Sequence, residues 1–322
     1  MRIHPIRTGS VQIKVAQRER RPGGLLRVIT GLEWTDWLPI YAWLIEHPEG
    51  PIVVDTGETA RTADPGYFPR WHPYYRFALH MDVKPEDEVG PQLERMGLDS
   101  SDVKTVVLTH FHTDHAGGLH HFPRSRILVP GADHALARST LGRLMGYLPG
   151  RWPGWFEPMA IPFRSEPVGP FPASFPVTRE GDVVIVPTPG HTPHHISVIA
   201  RSGGVSVFLA GDTSYTQSLL LERRPDGVSP RPRIALATMD AILRYARSEP
   251  TVYLPSHDPE SVERLEGGAT LDVPVTTRRS SDRCSSRASS SVWRADSFRI
   301  TDERDRPVES RLRDSERDGK GT

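Results

Sequence analysis

Short apolar runs alternate with polar, proline-rich loops along most of the chain. Runs of this kind, bounded by glycine, proline and aspartate, are typical of β-strands. They predict strands within 1–17 and at 38–46, 51–55, 103–108, 127–130, 182–187, 196–199, 205–210 and 252–254. Longer stretches with helical spacing predict helices over 85–96, 133–144 and 233–247. The mixture of strands and helices indicates an α/β (α+β) protein.

Polar residues recur just past the ends of these apolar runs. The residues in question are His110, His191, Asp212 and His257. Open α/β scaffolds bind ligands at the ends of their strands, along one edge of the sheet. The recurrence therefore predicts one shared site, built from segments that are far apart in the sequence.

The densest group of candidate ligands falls in residues 109–118. Within six residues it contains His110, His112, Asp114 and His115. Imidazole and carboxylate are ligands of zinc and related metals, and this pattern arises by chance in roughly one chain in 300. Gly117 and Gly118 follow, and we expect them to let the backbone turn sharply.

Other segments offer supporting groups for such a site. Asp55 ends the strand at 51–55, where a carboxylate can orient a ligand histidine; a simple strand-ending turn is the alternative. Aromatic residues concentrate in 67–77 and 145–175. These two segments are candidate walls of a substrate cleft, and irregular packed loops are the alternative.

The composition narrows the classes of function. The 322 residues carry 40 basic and 40 acidic side chains, so net charge gives no reason to expect nucleic acid as a partner. The single cysteine, Cys284, forms no intramolecular disulfide and favours a reducing compartment. We see no secretory signal after Met1 and no apolar run long enough to span a membrane. We therefore expect a cytoplasmic protein without membrane attachment.

The composition changes near residue 275. Arg, Ser, Asp and Glu dominate 276–322, and a segment so poor in apolar residues buries too little surface to offset its ordering entropy. We therefore predict a catalytic domain over 1–275 and a disordered tail over 276–322. The arginines of the tail are interleaved with acids, which makes it weak evidence for nucleic-acid binding.

Five motifs occur in an order that is specific in combination. They are Asp55-Thr56-Gly57, His110-x-His112-x-Asp114-His115, Gly190-His191, Gly211-Asp212 and Ser256-His257. Over roughly residues 30–262 the chain resembles the metallo-β-lactamase superfamily. Within it, the chain resembles the N-acyl-homoserine lactone lactonases, which place a tyrosine three residues after the bridging aspartate, as Tyr215 follows Asp212.

The resemblance implies a four-layer αβ/βα sandwich that holds two divalent metal ions, usually zinc. The implied ligands of one ion are His110, His112 and His191. Those of the other ion are Asp114, His115 and His257. Asp212 would bridge the two ions.

The chain departs from the family pattern at His194, where the family often has glycine. His195 is then expected to support the site or the fold instead of binding metal. His120 and His121 also lie close to the main motif, and we expect them to be surface or packing residues, outside the ligand set.

These residues suit ester hydrolysis. A bound metal lowers the pKa of water from 15.7 towards about 7, which makes hydroxide available to attack a carbonyl. Asp114 would pass a proton to the leaving alkoxide. Tyr215 would donate a hydrogen bond to the developing oxyanion, and a packed aromatic with a satisfied hydroxyl is the alternative.

The leading interpretation is a dinuclear-metal hydrolase that opens the lactone ring of N-acyl homoserine lactones. The acyl chain of this small-molecule substrate would lie against the segments 67–77 and 145–175. The alternatives are another hydrolase of the same fold, acting on esters, thioesters, phosphodiesters or β-lactams, or a non-catalytic metal-binding protein. The oligomeric state is open, with a homodimer as one option.

Features of the sequence weaken several of these alternatives. The absence of a cysteine near the motifs argues against the β-lactamase branch that uses a cysteine ligand. Glyoxalase-II-like thioesterases are expected to have a folded helical C-terminal domain, and nucleases an added basic domain. The redox branch has glutamate at the position of His112.

Overall fold

The structure, a computed structural model, describes residues 1–273 of the chain. The predicted tail over 276–322 and the boundary at 275 lie outside these residues and stay predictions. Within the described part of the chain, the helices are too short or too polar to cross a membrane.

The chain forms short strands and helices in alternation. The strands are β1 (Arg2–Ile13), β2 (Leu38–Glu46), β3 (Ile52–Val54), β4 (Leu79–Asp82), β5 (Thr105–Val107), β6 (Arg126–Val129), β7 (Met159–Ala160), β8 (Phe175–Pro176), β9 (Val183–Pro187), β10 (Ile196–Ser202), β11 (Val205–Gly211) and β12 (Thr251–Pro255). The α-helices are α1 (Val15–Arg18), α2 (Gly24–Thr30), α3 (Pro73–Phe77), α4 (Val89–Arg95), α5 (Thr113–Ala116), α6 (Gly131–Arg138), α7 (Thr140–Leu144), α8 (Gln217–Leu221), α9 (Pro232–Ser248) and α10 (Ser261–Gly267). Short 3₁₀ helices lie at Ala60–Ala63, Pro85–Asp87, Ser100–Asp102, Gly117–His121 and Pro149–Arg151.

The strands form two mixed sheets. The first has the order β4-β1-β2-β3-β5-β6-β7, antiparallel from β4 to β3 and parallel from β3 to β7. The second has the order β12-β11-β10-β9-β8, in which β11 and β12 are parallel and the other neighbours antiparallel. Parallel neighbours end at the same edge of a sheet, so the loops after β3, β5, β11 and β12 form two compact groups.

Both faces of each sheet are covered, which explains the nearly continuous apolar runs. On β2, Trp43 and Ile45 pack against Val198 of the second sheet, whereas Leu44 packs on the other face with Leu93 of α4. The outer face of the second sheet is covered by α9 through a separate apolar cluster. The layers are helix, sheet, sheet and helix, and the predicted αβ/βα sandwich is confirmed.

The helix predicted over 133–144 is wrong in one respect, because it is two helices. Ser139 separates α6 from α7, and its hydroxyl caps α7 by accepting a hydrogen bond from the Gly142 amide at 3.0 Å. A Cβ at position 142 would lie 2.1 Å from the Leu136 carbonyl oxygen. Glycine there lets α7 fold back closely on the end of α6.

The need for glycine at positions 117 and 118 comes from close packing, and the sharp turn that the sequence predicted does not explain it. Gly117 has helical backbone angles, with φ −67° and ψ −37°. A Cβ at 117 would lie 2.3 Å from Glu58 Oε1, and one at 118 would lie 2.3 Å from the Thr56 carbonyl oxygen. The pair is therefore explained by close packing of the ligand segment against the loop after β3.

Candidate metal centre

Loops at the ends of four strands bring the predicted ligands together. His110 follows β5, His191 follows β9, Asp212 follows β11 and His257 follows β12, as the sequence pattern predicts. The segment with His112, Asp114 and His115 continues directly from His110 into α5. The donor atoms form three overlapping groups: His110–His112–His191, His110–His115–Asp212 and Asp114–His115–His257.

Three imidazole rings converge in the first group. His112 Nδ1 lies 3.0 Å from His110 Nε2 and 2.9 Å from His191 Nε2. Burial and the neighbouring His191 lower the pKa of His112 to about 3. Burial and His115 likewise hold the pKa of His110 well below its usual range. Neutral imidazoles that face one another through lone pairs form a stable arrangement when a cation lies between them.

Asp212 lies between the His110–His112–His191 group and the Asp114–His115–His257 group. Its Oδ2 is 3.4 Å from His191 Nε2, while its Oδ1 is 3.3 Å from His115 Nε2 and 3.4 Å from His257 Nε2. In the Asp114–His115–His257 group, Asp114 Oδ2 lies 3.5 Å from His257 Nε2. The two oxygens of Asp212 thus face different groups, which is the arrangement a bridging carboxylate requires.

Hydrogen bonds on the side away from the centre orient most of the histidine rings. In four of the five rings, all except that of His112, the nitrogen that faces away from the centre has an oxygen partner: Thr109 Oγ1 for His110 (3.1 Å), Asp55 Oδ2 for His115 (2.8 Å), Asp226 Oδ2 for His191 (3.1 Å) and the Pro39 carbonyl for His257 (2.9 Å). These partners hold Nδ1 as the donor, so the Nε2 lone pairs face the centre.

Asp55 is the most constrained of these supporting groups. It is fully buried and has a positive φ of 60°, a conformation that costs free energy for a residue other than glycine. Its Oδ1 accepts a hydrogen bond from the Thr109 amide at 2.7 Å, and its Oδ2 accepts from Thr109 Oγ1 at 2.9 Å and from His115 Nδ1. This contact with His115 is the one that the predicted orienting role of Asp55 requires, and the role itself stays a prediction.

The donor set fits a pair of divalent metal ions. His115 Nε2 and Asp212 Oδ1 are buried and form no hydrogen bond within residues 1–273, which is costly unless a cation satisfies them. Burial lowers the pKa of His115, but Asp212 and Asp55 outweigh it and raise that pKa well above its usual value. His115 Nε2 and Asp212 Oδ1 lie 3.3 Å apart, which is the separation of two ligand atoms that are each roughly 2.0–2.2 Å from one tetrahedral ion. The His and Asp clusters are therefore consistent with a binuclear metal site.

Two further residues contact the centre. The sequence leaves open whether His195 supports the site or the fold, and it gives no indication of Gln17. His195 Nε2 accepts a hydrogen bond from the Asp212 amide at 3.1 Å, so this ring helps to position Asp212. Gly211 has φ 55°, and a Cβ there would lie 2.6 Å from His195 Nε2. Gln17, from α1, donates hydrogen bonds to the hydroxyls of Tyr215 and Tyr74, each at 2.9 Å. Nothing in the sequence around Gln17 marks it as part of a site.

His120 and His121 lie outside the ligand groups of the centre. Both rings face Glu88 instead, and their separate cluster is described below. Tyr215 is 3% exposed and stacks on His257, with ring centroids 5.3 Å apart. Tyr215 lines the same cavity as Asp212, and its hydroxyl accepts a hydrogen bond from Gln17.

Glu58 is a buried carboxyl group that the sequence reasoning missed, although it directly follows Asp55-Thr56-Gly57. Its Oε1 accepts hydrogen bonds from the Thr59 amide at 3.0 Å and from the Tyr67 hydroxyl at 3.3 Å. Burial, opposed by these hydrogen bonds and reinforced by the charge of Asp114, raises its pKa to about 8. Glu58 therefore keeps its proton at neutral pH.

Glu58→Gln is expected to remove a pH dependence of stability. Folded Glu58 holds a proton up to pH about 8, whereas the unfolded chain releases it near 4.5, so rising pH lowers the free energy of unfolding across this window. Between pH 6 and 9 the wild type should lose on the order of 2–3 kcal/mol more than the variant. Urea unfolding of both proteins in chelator measures this difference, and parallel pH profiles would contradict it.

A cavity of about 540 Å³ opens onto the centre. His112, Asp114, Asp212 and Tyr215 contribute its polar wall. Its apolar wall includes Leu25, Ile29, Trp71, Tyr74, Leu144 and Met145. This volume and mixture of surfaces are typical of sites for small molecules.

The two aromatic segments contribute unequally to this cavity. Residues 71–75 line it, in agreement with the predicted first wall. Of the second segment, only residues up to Tyr147 do so. Trp152 and Phe156 pack with Phe111 in the core instead, with 5.0 Å between the ring centroids of Trp152 and Phe111. For that part, the packed-loop alternative describes the structure. Further parts of the cavity wall come from α2, β4 and residues 227–230.

Comparisons with known proteins agree with this picture. The protein named "Probable metallo-hydrolase Rv2300c" of Mycobacterium tuberculosis is 32% identical over 181 residues, 55% of this chain and 57% of that protein. The chain thus spans little over half the length of that relative. The N-acyl homoserine lactonase of Bacillus thuringiensis is 27% identical over 234 residues, 69% of this chain and 82% of that protein.

Solved structures show the same fold. A structure of an N-acyl homoserine lactone hydrolase, with the product N-hexanoyl-L-homoserine at its catalytic metal centre, superposes with a TM-score of 0.64 at 22% identity. The superposition covers 81% of this chain and 94% of that one. AidC, a dizinc quorum-quenching lactonase, gives a TM-score of 0.58 at 16% identity and covers 80% of this chain and 87% of its own.

The family model of the metallo-β-lactamase superfamily matches residues 35–257, a range that contains all the ligand groups described above. The two-sheet fold and the buried His and Asp clusters agree with this match. The chain belongs to the metallo-β-lactamase superfamily.

Proposed function

We propose that this protein opens the lactone ring of N-acyl homoserine lactones, using two divalent metal ions, with zinc as the expected metal. The observation that carries the proposal is the cavity, which joins the His and Asp groups and Tyr215 to a largely apolar wall. Such a cavity suits a small molecule with one polar, reactive end and one apolar chain. The similarity to lactonases of known activity supports the same choice of substrate.

The residues proposed to hold the metal are those of the three ligand groups. His110, His112 and His191 would hold one ion, Asp114, His115 and His257 the other, and Asp212 both. When bound, such ions lower the pKa of water towards neutrality and withdraw charge from a carbonyl oxygen.

Tyr215 is the proposed hydrogen-bond donor to the carbonyl oxygen of the lactone. Because Gln17 Nε2 donates to the Tyr215 oxygen at 2.9 Å, the hydroxyl proton of Tyr215 is free to be donated into the cavity. The ring is fixed by stacking on His257, so the hydroxyl is held in place before substrate binds.

Asp114 is proposed to transfer a proton to the leaving alkoxide. Its side chain is 16% exposed and lines the cavity, whereas Asp212 is almost fully buried. Asp114 can therefore reach a substrate oxygen, and a carboxylate in this position accepts and releases a proton readily. The apolar wall formed by α2, α3 and the turn after α7 would bind the acyl chain and exclude water.

A panel of substrates tests this proposal. Zinc-loaded protein is mixed with N-acyl homoserine lactones of short and long chains, and proton release reports the acid formed by ring opening. An aryl ester, a thioester, a phosphodiester and a β-lactam are measured in parallel. We expect turnover of the lactones that a chelator abolishes. If no lactone is hydrolysed but another substrate is, the proposed lactone substrate is wrong and the hydrolase assignment stands. If none of the substrates is hydrolysed, a non-catalytic metal-binding protein is favoured.

Tyr215→Phe is expected to keep both metal ions and to lower kcat by roughly 10²–10³-fold. The loss corresponds to about 3 kcal/mol for one donor to a developing oxyanion. Metal content and proton-release rates measure the two effects separately. Tyr245→Phe is the matched control, because it also removes a buried hydroxyl. That hydroxyl lies 2.9 Å from Ser206 Oγ, and Tyr245 does not line the cavity. Equal rates for the two variants would exclude the role of Tyr215.

A further inference from the structure

A second group of metal-ligand side chains lies apart from the centre. Glu88 precedes α4, and His120 and His121 end the 3₁₀ helix Gly117–His121. Glu88 Oε2 lies 3.0 Å from His120 Nε2 and 2.7 Å from His121 Nε2. All three donor atoms fall within 4.8 Å of one another, although none of these residues belongs to the groups around Asp212.

The hydrogen bonds of His120 favour a cation in this group. Its Nδ1 lies 3.3 Å from the Gly117 carbonyl oxygen and therefore donates its proton there. In the neutral ring, Nε2 then carries a lone pair that faces the carboxylate oxygen of Glu88, which is repulsive. His121 can donate from Nε2 to the same Glu88 oxygen, so two imidazole nitrogens share one carboxylate oxygen, with their ring centroids 4.0 Å apart. One divalent ion satisfies all three atoms together.

The group is also held in place by its surroundings. Glu88 is 8% exposed, and its other oxygen, Oε1, accepts hydrogen bonds from Thr59 Oγ1 at 3.0 Å and from the Ala60 amide at 2.9 Å. Oε2 is thereby directed at the two histidines. A Cβ at Gly90 would lie 2.3 Å from His121 Nδ1, so glycine in the first turn of α4 makes room for this ring. The side chain of His120 is 42% exposed, which leaves access from solvent.

We propose that Glu88, His120 and His121 bind a third divalent transition-metal ion, with water completing its coordination. Two imidazoles and one carboxylate are a ligand set that zinc accepts. The ion would connect α4 and the Thr59–Ala60 loop to the 3₁₀ helix that continues from the main ligand segment. Binding would therefore stabilise the loops on which the metal centre is built, by an amount that grows with the logarithm of the free ion concentration above the Kd.

Zinc titration of the full chain tests this proposal. Metal-free protein is titrated with zinc by isothermal titration calorimetry. In a second measurement, the protein is dialysed against buffered zinc, and the zinc bound per chain is determined by elemental mass spectrometry. The wild type should bind one more ion per chain than the His120→Asn/His121→Asn variant, and excess zinc should raise its Tm more. Equal counts in the two proteins would overturn the proposal.

Two further variants keep this result interpretable. His120→Asn alone changes a half-exposed side chain and guards against misfolding of the double variant; it should also bind one ion fewer than the wild type. His4→Asn is the matched control, because His4 Nε2 lies 3.3 Å from Glu46 in a pair instead of a group of three. It should bind as many ions as the wild type, and a lower count there would contradict the assignment of the extra ion.

Discussion

Asp212→Ala is expected to lose zinc at both positions and to leave lactone hydrolysis at the uncatalysed rate. The carboxylate lies 3.3–3.4 Å from His115, His191 and His257, so it contacts both ligand groups. Without it, the ion at His110, His112 and His191 loses its one anionic ligand. The other ion keeps a single carboxylate, Asp114, so both positions lose a ligand that they share. Metal content per chain and the rate of proton release measure the loss.

The control for this variant is Asp240→Ala. Asp240 lies on α9 and pairs with Arg223 at 2.7 Å, with about a third of its side chain exposed. Its removal should leave metal content and rate within experimental error of the wild type, because exposed pairs contribute little. Full zinc occupancy together with full activity in Asp212→Ala would exclude the bridging role.

Asp55→Ala is expected to lower the free energy of unfolding by about 3–5 kcal/mol, even without metal. It removes the acceptor for the Thr109 amide, the Thr109 hydroxyl and His115 Nδ1, all of them buried. Because His115 also loses its orienting partner, zinc affinity should fall by about 10–100-fold. Urea unfolding in chelator measures the first effect, and competition with a zinc chelator measures the second.

Asp182→Ala provides the comparison for Asp55. Asp182 also pairs with a histidine, His47, at 3.0 Å, but 29% of its side chain is exposed and it lies outside the metal groups. We expect this variant to lose about 1 kcal/mol or less and to bind zinc normally. A similar small loss for Asp55→Ala would show that its hydrogen bonds do not orient the ligand segment.

The sequence predicts most of the sandwich and the ligand groups for a physical reason. Strands buried on both faces are continuous apolar runs, and a polar residue at the end of such a run is conspicuous. His191 and His257 were predicted in this way, and the structure brings them to His112 and Asp114. Their roles as ligands stay predictions, because only a metal measurement tests them.

The supporting residues could not be predicted in this way. Gln17 and Asp226 are common residue types in loops and short helices, and their partners, Tyr215 and His191, are distant in sequence. Their hydrogen bonds form only after the two sheets pack, so no local pattern records them. Glu58 looks like an ordinary charged loop residue until its burial beneath Tyr67 raises its pKa.

Hydrolysis in water enriched in oxygen-18 tests the central claim most directly. Zinc-loaded protein is incubated with N-hexanoyl homoserine lactone, and the product is fragmented in a mass spectrometer. We predict ring-opened acid with one oxygen-18 atom in its new carboxylate, since water is added at the carbonyl carbon, and no product after chelation. Label in the alcohol group, or no ring-opened product with fully metal-loaded protein, would contradict the account.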